Sequence, residues 1–258
     1  MSEFYRRWEP LFDPRDLANG ALLVLAPHPD DEVIGCGGLI LAHRVKEQPV
    51  TVAVATDGRL GITGGAGDDD YVKLRTDEHL EAGRVLGGTE SLFLGFPDGG
   101  LAEALSTGAL TSALVELLDS RAWRTVVFSS PFELHPDHRA LGLATLEALK
   151  TARVPQTILA MEIGSFMPAN LLIDVTPYAE DKDRAMMCYA SQLEHHDILG
   201  KLRGVDVARS ANVPDRAVKR CEAYLRIRPE RIPDYVSQSG ALLRLVDEMM
   251  PPVPWENS

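Results

Sequence analysis

The sequence predicts an α/β fold organised on a mostly parallel sheet with helices on both faces. Three observations carry that expectation. Short, continuous apolar runs such as ALLVLA (21–26) and VTVAVAT (50–56) read as strands buried on both faces. These runs alternate with longer segments of helical spacing, the pattern of repeated strand–helix crossovers. Polar clusters follow several of the runs, at what would be the carboxyl ends of parallel strands, where open α/β sheets bind ligands.

ALLVLA is the first strand. VIGCGGLILAHRVKEQ (33–48) suits a helix whose small residues let it pack closely on the sheet. VTVAVAT is the second strand and leads into a long Gly- and Asp-rich loop, DGRLGITGGAGDDD (57–70). A helix from about Tyr71 to Leu86 has apolar positions at helical spacing, and Gly87-Gly88 ends it. SLFLGF (91–96) is the third strand and turns at PDGG (97–100). Residues 107–120 read as a helix, and TVVFSS (125–130) is the fourth strand. A loop carrying HPDH (135–138) enters a helix near 138–151, and QTILAME (156–162) is the fifth strand. NLLIDVT (170–176) and CEAYLRI (221–227) read as further strands with helices between them. The proline-rich end, MMPPVPWENS, is expected to strap across the surface. No repeat or linker divides the chain, so a single domain over residues 1–258 is expected, with a core of about 20–192 and a C-terminal extension of about 193–258.

Composition narrows the function classes. A chain of 258 residues that is 45% hydrophobic and 25% charged can bury an ordinary globular core. Its net charge of −12 argues against a nucleic-acid partner, which would call for clustered Lys and Arg. Cys36, Cys188 and Cys221 are few, odd in number and widely spaced, so reduced thiols and a cytoplasmic location are expected. The start, MSEFYRRWEPLFDPRDL, lacks the apolar stretch of a signal peptide, and no run approaches the roughly twenty apolar residues of a membrane span. A small molecule is the expected partner, and a homo-oligomer is left open.

The stretch APHPDDEVIG (26–35) concentrates three acids beside His28 between two prolines. Such acids repel one another unless something positive, such as a metal ion, sits among them. HPDD offers an imidazole and a carboxylate three residues apart, and HPDH offers two imidazoles. In the common strand order 3-2-1-4-5, strands one and four are neighbours, which brings the two clusters together. Three protein ligands and an exchangeable water make the usual catalytic zinc site, and we assign the ligands to His28, Asp31 and His138. Asp30 and His135, one from each cluster, are left to flank the water and the substrate. Asp30 is placed as general base, since a nearby carboxylate can take the proton of an acidified water. A protonated His135 would face the oxyanion of an attacked amide, with Asp137 orienting it and favouring its charge. A two-histidine, one-carboxylate set suits Zn²⁺ and Fe²⁺ alike.

Blander readings exist for each cluster. HPDH alone is more often a loop entering a helix, with Asp137 as N-cap and both histidines solvated. PDDE alone suits acids placed at a helix N-terminus to meet the macrodipole. The occurrence of both clusters after strands expected to be adjacent favours the metal site.

These residues resemble the LmbE-like, or PIG-L-type, zinc-dependent N-acetylglucosamine deacetylases. The signature of that family is a strand followed by Ala-His-Pro-Asp-Asp-Glu and a glycine-containing helix, here APHPDDEVIGCGG with one residue between the usual Ala and His. RTDEHLEAGRVLG (75–87), LGFPDG (94–99), HPDH (135–138) and YASQ (189–192) continue the likeness over roughly residues 20–192. The resemblance implies a Rossmann-like three-layer fold and hydrolytic removal of an acetyl group from an amino sugar or its conjugate. It also implies His28, Asp31 and His138 as ligands, Asp30 as base and His135 as transition-state stabiliser. Arg75 and Asp98 match positions that contact the sugar; without the resemblance they would read as a surface Arg paired with Glu78 and an ordinary turn Asp.

Other features carry less. GITGGAG (61–67) lacks the Lys-Ser/Thr of a phosphate-binding loop and reads as a mobile loop over the pocket or a plain surface loop. His195-His196 read as a solvated helix face, and Cys36 as a small core residue. The zinc-deaminase pattern and the G-x-S-x-G elbow are absent. Two rivals to the deacetylase remain at this level: an amidase cleaving a larger acyl group, and a metal- or sugar-binding homologue without catalysis. The retained Asp30 and His135 speak against the second.

Overall fold

The computed structural model describes residues 13–62 and 66–249. In chain order the described elements are α1 (Pro14–Leu17), β1 (Leu22–Ala26), α2 (Asp31–Val45), β2 (Val50–Thr56), α3 (Asp69–Val85) and β3 (Glu90–Phe96). They continue with α4 (Leu101–Ser106), α5 (Ala109–Ser120), β4 (Thr125–Ser129), α6 (Pro136–Ala148), β5 (Thr157–Met161) and β6 (Leu171–Asp174). The last are α7 (Ala179–Met186), α8 (Ala190–Leu193), α9 (Ile198–Ser210), β7 (Cys221–Ile227) and α10 (Ile232–Met249). The strands form one sheet in the order β3-β2-β1-β4-β5-β7-β6. Strands β1 to β5 pair in parallel, while β7 runs antiparallel to both β5 and β6. The expected mostly parallel α/β sheet, with strands one and four side by side, is what the chain forms.

Alternation along each strand splits the core into two layers. Leu22, Val24 and Ala26 of β1 face a cluster with α1, α2, α3, α7 and α9, whereas Leu23 and Leu25 face one with α4, α5, α6 and α10. All five β1 residues are buried, which is why the run reads as continuously apolar.

Glycines let α2 lie close on the sheet. A Cβ at Gly35 would come within 2.6 Å of the Met161 sulfur, and one at Gly38 within 2.3 Å of Val175 Cγ1. The helix kinks at Cys36 (φ −151°, ψ 23°). Past the kink, the N–H groups of Gly38 and Leu39 donate to Glu222 of β7 at 2.7 and 3.2 Å. Glu222 thus caps the second half of the helix from the sheet. Lys182, buried without exposure, holds Glu222 at 2.9 Å and Asp206 at 3.1 Å.

Several expectations need adjustment. The helix expected over 107–120 is α5, which starts at Ala109 after Gly108 (φ +80°), and the short α4 before it was not expected. The helix expected near 138–151 begins at Pro136, a favoured first helical residue. Residues 221–227, in the stretch expected as a C-terminal extension, form β7 inside the sheet between β5 and β6. His195 and His196 are exposed, as expected, but sit in the turn between α8 and α9 rather than on a helix face. The terminal proline-rich segment from Met250 onward and the centre of the GITGGAG loop lie outside the described residues. No described helix is long and apolar enough to cross a membrane.

Candidate active site

β1 ends at Ala26, and the next peptide is tied to the neighbouring strand: Pro27 O accepts from Thr56 N–H at 3.0 Å and from Thr56 Oγ1 at 2.9 Å. The chain then turns sharply into α2. Asp30 occupies the turn with φ +117° and ψ −28°, a conformation that costs a non-glycine residue about 1–3 kcal/mol. Its C=O accepts from the N–H groups of Val33 and Ile34, and its own N–H donates to Glu32 Oε2 at 3.1 Å. Across the sheet, β4 leads to a loop from which α6 starts. The His135 ring caps that helix, accepting from Asp137 N–H at 3.2 Å. Asp137 does not cap it, and His138 is not solvated but 7% exposed.

The two clusters meet. His28 Nδ1 lies 3.1 Å from Asp31 Oδ2 and 3.3 Å from His138 Nε2, and His138 Nε2 lies 3.3 Å from the same Asp31 oxygen. Ligand atoms on a tetrahedral ion at about 2.1 Å stand about 3.4 Å apart, so this triangle has the size such an ion requires. Two imidazole nitrogens and a carboxylate also form a suitable donor set for zinc or ferrous iron. His135 stands beside the triangle, its ring centroid 4.9 Å from that of His28 and 4.8 Å from that of His138. Ring nitrogens of His28, His135 and His138 all lie within 4.8 Å of one another, as do His28, Asp98 and Asp137 through their ligand atoms.

Carboxylates surround the other edges of the imidazoles. His28 Nε2 faces Asp98 Oδ1 at 3.1 Å and Asp137 Oδ2 at 3.4 Å, while His138 Nδ1 faces Glu133 Oε2 at 3.7 Å. Such outer partners fix the orientation of a metal-ligating histidine and raise its basicity. Burial opposes charge on His28, yet Asp137, Asp31 and Asp98 hold its pKa well above the ordinary value. Burial is likewise outweighed at His138, which Asp31 and Glu133 push up to about 9. Asp31, though buried, is held well below the carboxylate range by His138 and His28. The acids therefore favour positive charge at this spot, which a divalent ion supplies.

Asp30 differs from Asp31. Burial pushes its carboxyl up to about 7, offset in part by Arg75 and reinforced by Asp31 and Glu32. Arg75 donates to Pro29 O and to Asp30 Oδ2, the latter at 3.2 Å. It is 2% exposed and so is not the surface arginine of the blander reading. Its Nε and Nη1 groups are buried without hydrogen-bond acceptors, and Arg75 lines the cavity. The cavity, of about 170 Å³, is lined by His28, Asp30, Arg75, Asp98, His135 and Gln192, together with Gly58, Leu60 and Gly61.

Two surroundings differ from those expected. Asp137 does not orient His135 through its carboxylate, because that carboxylate accepts from the N–H groups of Gly99 and Leu101 at 2.7 and 3.1 Å and faces His28. Burial and the neighbouring His28 and His138 lower the His135 pKa, against the opposing pull of Asp137 and Asp31. With Nδ1 accepting from Asp137 N–H, a neutral His135 carries its proton on Nε2. Asp98 also anchors the loop after β2, accepting from Leu60 N–H at 2.8 Å. Glu133 and Gln192 were not singled out from the sequence. Gln192 donates to Gly61 O at 3.0 Å and Tyr71 Oη at 2.8 Å, and its place in YASQ was the available signal. Glu133 had no such signal, because its partners Ile163 and Gly164 are about thirty residues away.

Known proteins resemble this chain in sequence and in fold. Residues 23–149 match the family model PIG-L, described as GlcNAc-PI de-N-acetylase. A probable N-acetyl-alpha-D-glucosaminyl L-malate deacetylase 2 of Bacillus subtilis is 32% identical over 206 residues, covering 75% of this chain and 90% of that protein. The diacetylchitobiose deacetylase of Thermococcus kodakarensis is 28% identical over 66% of this chain and 69% of its own length. Among solved structures, the N,N'-diacetylchitobiose deacetylase of Pyrococcus horikoshii superposes with a TM-score of 0.71 over 82% of this chain and 85% of that one. At 22% identity that likeness speaks to the fold.

Proposed function

The chain belongs to the PIG-L (LmbE-like) family, and on that premise we propose that it is a metal-dependent hydrolase removing the N-acetyl group from an N-acetylglucosamine-type amino sugar or its conjugate. The observation that carries the reading is the triangle of His28 Nδ1, Asp31 Oδ2 and His138 Nε2, with sides of 3.1 to 3.3 Å, beside the Asp30 that lines the cavity. These three residues would hold Zn²⁺, with Fe²⁺ as the alternative. When bound, such an ion polarises the amide carbonyl and acidifies water.

The remaining chemistry falls to side chains. Asp30, with a carboxyl near neutrality, takes a proton from the attacking water and returns it to the departing nitrogen, leaving acetate and a free amine. His135 presents its Nε2–H to the oxygen that becomes negative as the carbonyl carbon turns tetrahedral. Asp98 and Asp137 orient His28, and Arg75, paired with Glu78 at 4.0 Å and lining the cavity, brings positive charge towards a sugar hydroxyl or the acetamido oxygen. Relatives are named as deacetylases of a glucosaminyl malate, of diacetylchitobiose and of an inositol acetamidoglucoside, and the cavity near the metal triangle is the part a shared acetamido group would use. The cytoplasmic reading rests on three free thiols, two of them buried.

The test is acetate release from a panel of N-acetylglucosaminides by the purified protein, with and without a chelator. Release that disappears on chelation and returns with zinc supports the reading. Release of a longer acyl group but not acetate favours an amidase, and no release with full metal content favours a binding protein.

A further inference from the structure

We propose that Glu32, His79 and Tyr189 are positioning residues that hold Asp30 in its positive-φ conformation and so aim its carboxylate into the cavity. The proposal rests on the reading of Asp30 as the general base. None of the three lines the cavity, so each would act through Asp30.

The cluster draws on three separate parts of the chain. Glu32, 1% exposed, uses Oε2 to accept the Asp30 N–H at 3.1 Å. Its Oε1 accepts from the Tyr189 hydroxyl and faces His79 Nδ1 at 3.2 Å. Tyr189 Oη and His79 Nδ1 are themselves 3.2 Å apart, and His79 Nε2 is 3.0 Å from Ser91 Oγ. The protons can be assigned from these contacts. The Asp30 amide and the Tyr189 hydroxyl donate to the Glu32 carboxyl oxygens, and His79 Nδ1–H is placed to do the same. His79 Nε2 then accepts from Ser91. Burial and the adjacent Glu32 push the Tyr189 phenol well above its ordinary value, which keeps it a donor.

The geometry gives this cluster a task beyond filling space. At φ +117° Asp30 departs from the backbone region a side-chain-bearing residue prefers, and something must hold it there. Glu32 grips its N–H from within the core, while Arg75 grips the preceding carbonyl of Pro29 from the cavity side. Tyr189 and His79 in turn fix the Glu32 carboxylate, whose two oxygens would otherwise be free to rotate away. A relaxed Asp30 would swing its carboxylate relative to the metal triangle, and a displacement of about 1 Å in a reacting group can cost on the order of 10²-fold in rate.

The experiment compares Tyr189→Phe, His79→Leu and His79→Asn in the metal-loaded enzyme. Asn can place an N–H near the position of Nδ1, whereas Leu cannot. Tyr189→Phe and His79→Leu are expected to lower kcat about 10- to 100-fold, with KM and metal content within about twofold of the parent. His79→Asn is expected to recover most of that loss. Hydrogen exchange of the Asp30 amide, followed by NMR, is expected to quicken at least about tenfold in the two disabling variants. An unchanged kcat and unchanged exchange, with only a lower melting temperature, would reduce the cluster to packing and overturn the proposal. Metal lost in parallel with kcat would also overturn it, by showing that the cluster supports the ligands instead. If the parent protein releases no acetate, the deacetylase reading fails by itself. The amide exchange then decides alone: faster exchange in Tyr189→Phe supports the positioning role, and unchanged exchange rejects it.

Discussion

His28 and His138 stand 110 residues apart in the chain, yet their ring nitrogens approach to 3.3 Å over a shared Asp31 oxygen. Parallel pairing of β1 with β4 makes this meeting possible, because it puts the carboxyl ends of both strands side by side. His28 then enters from the turn after β1, and His138 from the first turn of α6.

The first prediction follows from that triangle. His138→Ala removes one corner and leaves the apolar layers of the core intact. Bound metal and deacetylation should fall together while the far-ultraviolet circular dichroism stays unchanged. Elemental analysis beside kinetics checks this, and a variant with full metal content would show that His138 is not a ligand.

Much of this arrangement was legible because it depends on local pattern and short-range topology. Continuous apolar runs marked β1, β2 and β4, and the crossover order placed HPDD beside HPDH. What escaped depends on contacts distant in sequence. The Asp137 carboxylate binds amides of Gly99 and Leu101, and no spacing within HPDH signals that. The reversal of β7 between β5 and β6 is a matter of tertiary pairing, invisible in the run CEAYLRI itself. Glu32 was visible in the opening motif, but its partners Tyr189 and His79 lie 157 and 47 residues away. Gly108 was the exception, a local signal for the turn that separates α4 from α5.

A second prediction concerns acid stability. His43 has no exposed surface, and burial lowers its pKa to about 4 from the ordinary 6.5. The unfolded chain therefore binds a proton between those values while the folded chain does not. This contribution to stability is complete above about pH 6.5 and is lost as pH falls toward 4, by at most about 3 kcal/mol. Denaturant unfolding at pH 7.5 and 4.5 should show a smaller acid-side loss in His43→Gln than in the parent. Equal losses would mean that His43 does not titrate differently on folding.

Lys182 supports a third. Its ammonium is buried between Asp206 at 3.1 Å and Glu222 at 2.9 Å, the latter capping α2. Lys182→Met leaves Glu222 without its buried counter-charge, while Asp206 keeps Arg220 at 2.8 Å, and should cost about 3–5 kcal/mol in unfolding free energy. Lys182→Met combined with Glu222→Gln should cost less than the two separate losses added together. Strict additivity in that cycle would show that the pair is not coupled.

The last prediction separates Asp30 from its neighbour Asp31. Both are buried, but only Asp31 brings an oxygen to the histidine pair, whereas Asp30 faces Arg75 and the cavity. Asp31→Asn should weaken metal binding, because a neutral amide oxygen is a poorer ligand for a divalent ion. Asp30→Asn should keep the metal and lose turnover, by about 10²–10⁴-fold if the side chain acts as a general base. The acidic limb of kcat is the second readout. With a carboxyl near pH 7, the base form is lost as pH falls, so activity in the parent should decline on the acid side; a bound cation would move that limb to lower pH. In Asp30→Asn the limb attributable to this group should be absent from the residual rate. Metal retained in Asp31→Asn but lost in Asp30→Asn would exchange the two assignments. Metal and rate retained in both would mean that the acids of HPDDE serve only the turn into α2.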